Sequence, residues 1–166
     1  MPDRWARLWA PHRMEYLKGE NRPLGGNDVA CPFCRVPTLD DAQGLIVARG
    51  ENAYVVMNLY PYNAGHLLIC TYRHIADLTD LTKEERDEIS DLTAHSMVTL
   101  RKVSAPAGFN LGMNQGAISG AGVAEHIHQH VVPRWSGDAN FMPLIGQTKV
   151  MPVLLSQTRD ELAAAW

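Results

Sequence analysis

Two short apolar, β-branched runs, Leu45–Ala48 and Ala53–Leu59, flank the polar tetrapeptide Arg49-Gly50-Glu51-Asn52. Runs of that length around a glycine-containing turn predict a β-hairpin. His66–Tyr72 predicts a third strand. Leu67, Leu68, Ile69 and Cys70 follow one another without a polar break, so both faces of that strand are expected to be buried. Thr82–Val103 changes period. Ile89, Leu92, Ser96, Leu100 and Val103 fall on one stripe of a helix. Thr82 and Glu85 have the spacing of a capping box, and Glu84, Glu85 and Asp87 suit the positive end of the helix. Pro106 and Gly108 end it. Phe109–Asn114 predicts a fourth strand, Gly116–Gly122 a glycine-rich loop, Glu125–Pro133 a fifth strand, and Pro152–Trp166 a closing helix.

At the other end, Trp5, Leu8, Trp9 and Leu17 lie near helical spacing, interrupted by Pro11. The stretch Lys18–Ala30 has loop composition. The expectation is an α+β fold: a single antiparallel sheet of about five strands with two main helices plus an N-terminal helical segment. Residues 1–30 would pack on a domain formed by residues 31–166.

A chain of 166 residues supports one domain. With 15 Lys+Arg against 18 Asp+Glu its formal net charge is −3, which argues against a nucleic-acid partner. A small anion is still admissible, because local backbone dipoles bind one against the net charge. The longest apolar stretches are too short to span a bilayer, so no membrane partner is expected. No apolar export segment follows Met1-Pro2-Asp3-Arg4, and a cytoplasmic location is expected. In that setting the three cysteines suggest metal binding rather than disulfides.

The most informative segment is His126-Ile127-His128-Gln129-His130. In a strand, alternate side chains share a face, so the three imidazoles would point one way. Three imidazoles in a row are costly to bury without partners. Two kinds of chemistry fit: a metal site, since neutral imidazole is a good ligand, and nucleophilic catalysis, since much of it is uncharged near neutral pH. The preceding loop, with Gly120 and Gly122, is of the kind that turns backbone N–H groups toward a phosphate. Arg134 could add a bidentate contact. Cys31-Pro32-Phe33-Cys34 is half of a zinc site or a redox pair. Cys70 reads as a buried thiol, and His12 and His95 as surface or satisfied residues.

The His-x-His-x-His segment followed by two apolar residues, the upstream Gly65-His66, and Asn58 seven residues before Gly65 resemble the histidine triad (HIT) superfamily of nucleotide hydrolases and transferases. The stretches Leu8-Trp9 to Tyr16-Leu17 and Val132-Pro133-Arg134-Trp135-Ser136-Gly137-Asp138-Ala139-Asn140-Phe141 are similar to its bacterial diadenosine tetraphosphate-cleaving members. The resemblance implies attack on the α-phosphate of a dinucleoside polyphosphate and a covalent nucleotidyl-histidine intermediate. His128 would be the nucleophile, His130 would orient the phosphate and leaving group, and His66 would be an accessory histidine. Asn58 would contact ribose, Asn114 would line the phosphate side, and Trp135 would lie near the pocket.

In the similar phosphorylases a Gly-Ser pair precedes the triad. Here those positions are Ala121-Gly122, so phosphate and water both stand as second nucleophile. A nucleoside phosphoramidase and a zinc-stabilised nucleotide-binding module without turnover are the alternatives. The resemblance also implies structural Zn2+ on Cys31, Cys34, His74 and His126, no organic cofactor, an adenine-containing nucleotide substrate, and a homodimer.

Overall fold

The computed structural model describes residues 31–138 and 152–166. The expected N-terminal segment, His12 and Phe141 lie outside the described residues. Five strands form one sheet: β1 (Ile46–Arg49), β2 (Ala53–Met57), β3 (Leu67–Thr71), β4 (Gly108–Met113) and β5 (His128–Arg134). Their spatial order is β1-β2-β3-β5-β4, and each neighbouring pair is antiparallel. Among the described residues the α-helices are a four-residue α1 (Pro32–Arg35), the long α2 (Lys83–Ser104) and α3 (Leu155–Ala165). Among the described residues, no helix is long and apolar enough to cross a membrane.

The period-two alternation divides the core between the two faces of the sheet. Val55, Met57, Leu67, Ile69 and Val131 pack with Ile89 and Leu100 of α2 and Leu162 of α3. On the opposite face Ile46, Tyr54, Val56, Leu68 and Cys70 meet Phe33 and Val36 from the segment around α1. Every residue of β2 and β3 is buried, as the unbroken apolar run of β3 requires. The capping box forms as expected: Thr82 accepts from Glu85 N–H, and the Glu85 carboxylate accepts from Thr82 N–H.

Helix α2 also anchors the first hairpin. The Glu88 carboxylate accepts the N–H groups of Glu51 and Asn52, each at 2.6 Å. Gly50 suits this close approach, because a Cβ would lie 2.9 Å from the Ala53 carbonyl oxygen and would displace the Glu88 carboxylate. Arg159 of α3 donates to the Ile46 carbonyl at 2.6 Å and covers the β1 edge of the sheet.

One boundary differs from expectation in a way that matters. The fifth strand begins at His128, not at Glu125, so His126 precedes the ladder. Its ring is drawn instead into contacts with residues far away in sequence. The Cys-x-x-Cys pair opens a single helical turn, with Cys31 as the N-cap of α1.

Candidate active site and metal centre

β5 carries the second and third histidines on the face opposite α2. Across β3, His128 pairs with Cys70 and His130 with Leu68. Across β4, His130 pairs with Gly112, where a Cβ would meet nothing within 4 Å. His130 therefore has open space on one side.

The hydrogen bonds fix where the ring protons sit. His128 Nδ1 lies 2.8 Å from the His126 carbonyl, which can only accept. Nδ1 therefore carries the proton, and Nε2 keeps its lone pair. His130 has the opposite arrangement. The Tyr62 backbone N–H donates to His66 Nδ1 at 3.0 Å, so His66 is protonated on Nε2. His66 Nε2 then donates to His130 Nδ1 at 2.9 Å, which leaves the His130 proton on Nε2. That Nε2–H is buried and has no hydrogen-bond partner among the described residues. A lone pair and an N–H donor thus stand on adjacent residues of one strand face, their rings 5.1 Å apart.

Burial disfavours the imidazolium form of both. It lowers the pKa of His128, against a smaller upward effect of the His126 carbonyl. For His130, burial and then the neighbouring His128 bring the pKa down to about 4. Both rings are neutral at pH 7. A neutral nucleophile next to an unpaired donor is an arrangement suited to attack on phosphorus, with a hydrogen bond ready for the oxygen being displaced.

The second cluster is drawn from three separate segments of the chain. The ligand atoms of Cys31, Cys34, His74 and His126 all lie within 4.8 Å of one another. His126 Nδ1 is 3.4 Å from Cys31 Sγ and 3.5 Å from Cys34 Sγ, and His74 Nδ1 is 3.2 Å from Cys34 Sγ. His126 Nε2 donates to the Thr71 carbonyl at 2.9 Å, so the lone pair on Nδ1 faces the sulfurs. Zinc bonds of about 2.3 Å to sulfur and 2.0 Å to nitrogen at tetrahedral angles give a sulfur–nitrogen edge of about 3.5 Å. Two thiols and two imidazoles at these separations fit a four-coordinate metal ion. Arg73, beside His74, is held by a bidentate pair with Glu85 at the start of α2.

The remaining candidates are more scattered. Asn58 Nδ2 lies 3.3 Å from His66 Nδ1, at the edge of the histidine pair. Asn114 follows the end of β4, whose last residue pairs with Gln129. Gly120 adopts a left-handed conformation at the end of a single 3-10 turn, Ala117–Ser119, and Gly122 lies between that turn and the triad. Arg134 and Trp135 are engaged elsewhere. The Arg134 guanidinium is held by Asp138 and Asn110, and the Trp135 indole donates to the Ser104 carbonyl at the end of α2. Cys70 is fully buried, and burial pushes its thiol well above the ordinary range. His95 stacks on Trp166, 4.3 Å between centroids.

The structure adds residues that the sequence reading passed over. Phe33, between the two cysteines, lays its ring 5.6 Å from His126 and 4.8 Å from His128. Tyr62 stacks against His66 and His130, and its backbone N–H orders the His66–His130 pair. The position of Phe33 inside Cys-x-x-Cys was a usable signal. The backbone donor of Tyr62 had none, because a main-chain N–H leaves no mark on composition.

The model of a family described as HIT domain matches residues 41–137. A Mycobacterium tuberculosis (strain H37Rv) protein named AP-4-A phosphorylase is 47% identical over 167 residues, 99% of this chain and 86% of that protein. A Schizosaccharomyces pombe protein named bis(5'-nucleosyl)-tetraphosphatase (asymmetrical) is 30% identical over 90 residues, 54% of this chain and 49% of that one. The crystal structure of a zinc-bound histidine triad family protein from Mycobacterium smegmatis superposes with a TM-score of 0.66. It covers 84% of this chain and 94% of that one at 24% identity, and shares the fold.

Proposed function

Because the chain belongs to the HIT domain family, we propose that it cleaves a dinucleoside polyphosphate such as diadenosine tetraphosphate through a nucleotidyl-histidine intermediate, with inorganic phosphate as the second nucleophile. The observation that carries this reading is the pairing of ring protons: a lone pair on His128 Nε2 beside an unpaired N–H on His130 Nε2. The name of the 47% identical relative supports phosphate as acceptor.

In the first step His128 Nε2 bonds to the α-phosphorus, and the bond from that phosphorus to the bridging oxygen breaks. The displaced nucleoside triphosphate takes the electron pair onto that oxygen, where His130 Nε2–H donates a hydrogen bond. A transition state of this kind asks mainly for placement and charge stabilisation. In the loop through Gly120 and Gly122 the Gly120 N–H is bonded to the Ala117 carbonyl at 3.2 Å, so the Gly122 N–H would be the backbone donor for the equatorial oxygens. In the second step phosphate attacks the same phosphorus, and the nitrogen–phosphorus bond breaks to release a nucleoside diphosphate. From the resemblance, Asn58 would contact ribose and Asn114 would line the phosphate side. Cys31, Cys34, His74 and His126 would hold zinc as a structural ion that braces the start of β5. A cytoplasmic location agrees with the reduced thiols such a site needs. A homodimer follows from the resemblance to the family, and β4, with Asn110, Leu111 and Gly112 exposed at the sheet edge, is the strand available to it.

The test is a product assay with diadenosine tetraphosphate, with and without inorganic phosphate. ADP and ATP formed only when phosphate is present support the reading. AMP and ATP in both tubes make the enzyme a hydrolase. No product in either tube refutes it.

A further inference from the structure

Asp138 is a surface-loop carboxylate with the surroundings of an interior one. Its side chain is 11% exposed. It accepts from Arg134 Nε at 2.6 Å, Arg134 Nη2 at 2.8 Å, Asn63 Nδ2 at 2.7 Å and Trp135 N–H at 3.1 Å. The Arg134 guanidinium beside it holds the carboxyl far below the usual carboxylate range. Four donors from three residues exceed what a surface ion pair offers, and a bidentate charge-assisted pair fixes geometry as well as energy.

Asn63 passes that restraint to the histidines. Its amide bridges Asp138 and the Pro133 carbonyl, at 3.1 Å, and its own carbonyl accepts the His66 N–H at 3.2 Å. At the other end Asn58 N–H donates to the His66 carbonyl at 2.9 Å. Residues 58–66 are therefore a closed loop pinned to the end of β5. Gly65, at φ +74°, makes the turn into His66. Within this loop, two donors among the described residues address His66 Nδ1: the Tyr62 N–H at 3.0 Å and, further off, Asn58 Nδ2 at 3.3 Å, whose partner atom Oδ1 is taken by Tyr60 N–H.

We propose that Asp138 and Asn63 are positioning residues for the reaction: by pinning the 62–66 loop to β5 they hold the Tyr62 N–H on His66 Nδ1 and so keep the His130 proton on Nε2, facing the substrate. The His66–His130 hydrogen bond works in either direction. With its proton on Nδ1, His66 would accept from His130 at Nε2. His130 would then present a lone pair, repelling a phosphate oxygen where it should donate to one. Only the proton positions change between the two arrangements, and no atom is gained or lost. Of the two donors on Nδ1, the shorter one, from residue 62, carries most of the choice between them. The role assigned to Asp138 rests on the proposed attack at phosphorus, whereas the proton positions themselves can be measured without substrate.

The experiment uses the full chain, loaded with metal, with 15N-histidine label. Imidazole nitrogen shifts are read in the native protein, in Asp138→Asn and in Asn63→Ala. The native protein is expected to show His66 and His130 protonated on Nε2. The variants are expected to show a mixture of tautomers at both rings. In a diadenosine tetraphosphate assay, kcat should fall about 10- to 100-fold, part of the effect of a positioned proton donor, with KM changed little. A nucleotide with a nitrophenolate leaving group, which needs no such donor, should lose much less. A native His66 protonated on Nδ1 overturns the inference before any variant is made. So do folded variants that keep native tautomers and native kcat. If the native protein shows the expected tautomers but no turnover, the functional reading fails and the proton ordering stands.

Discussion

Removing the metal is the perturbation whose size can be worked from the geometry. The four ligand atoms already stand within 4.8 Å, and three sulfur–nitrogen separations of 3.2, 3.4 and 3.5 Å lie within about 0.3 Å of a zinc tetrahedron's edge. Little rearrangement is needed to accept an ion, so binding should be tight and specific to the folded state. The domain keeps its own core on the α2 face, so the metal-free chain should still fold. Binding to the folded state alone stabilises by about 2.7 kcal/mol when free metal is 100 times Kd. At about 2–4 °C per kcal/mol for a chain of this length, the melting temperature should rise by roughly 5–11 °C. Each further tenfold in free zinc adds roughly 3–6 °C, from about 1.4 kcal/mol per decade. The assay is thermal unfolding of chelated protein titrated with buffered zinc, alongside Cys34→Ala and Cys70→Ala. Cys34→Ala should abolish the rise. Cys70→Ala should keep it, because Cys70 lies outside the cluster. A melting temperature indifferent to zinc, or a rise that survives Cys34→Ala, refutes the reasoning.

His128→Ala should abolish turnover while leaving far-UV dichroism and the zinc-dependent melting shift intact. Residual activity above a thousandth of native would exclude His128 as nucleophile. With both His128 and His130 held neutral by burial, the acid limb of kcat/KM should lie below the ordinary imidazole value near 6.5; an acid limb centred at or above pH 6.5 would contradict this. For stability the sign follows from the same depression. Between about 4 and the unfolded value near 6.5 the unfolded chain binds more protons at His130, so its contribution rises with pH across that window and is complete above it. Denaturant midpoints measured from pH 4 to 7 should rise accordingly. Glu85→Ala removes the capping box and the bidentate Arg73 pair together. It should cost about 1–2 kcal/mol in urea unfolding and loosen the metal site through His74; unchanged zinc affinity would dissociate Arg73 from that site.

Much of the architecture was legible because it is local. The hairpin, the unbroken apolar run of β3 and the stripe of α2 are short-range patterns, and backbone periodicity turns each directly into an element. The capping box is legible for the same reason, since Thr82 and Glu85 need only each other. The start of β5 was misplaced by three residues. The family resemblance already implied that His126 meets two cysteines 92 and 95 positions away, but no periodicity in Glu125-His126-Ile127 says that it leaves the ladder to do so.

The chain by itself determined which chemical groups are present and how they repeat: three imidazoles at alternate positions, a Cys-x-x-Cys, and a histidine entering β3. Only the tertiary structure decided which nitrogen of each ring carries the proton. That choice rests on the His126 carbonyl for His128, and on a backbone N–H at residue 62 for His66 and His130. It also decided that the Arg134 guanidinium is taken up by Asp138. A side chain's type is written in the sequence. Its proton position and its partner depend on which main-chain groups the fold brings within 3 Å, and those groups are the same in every residue.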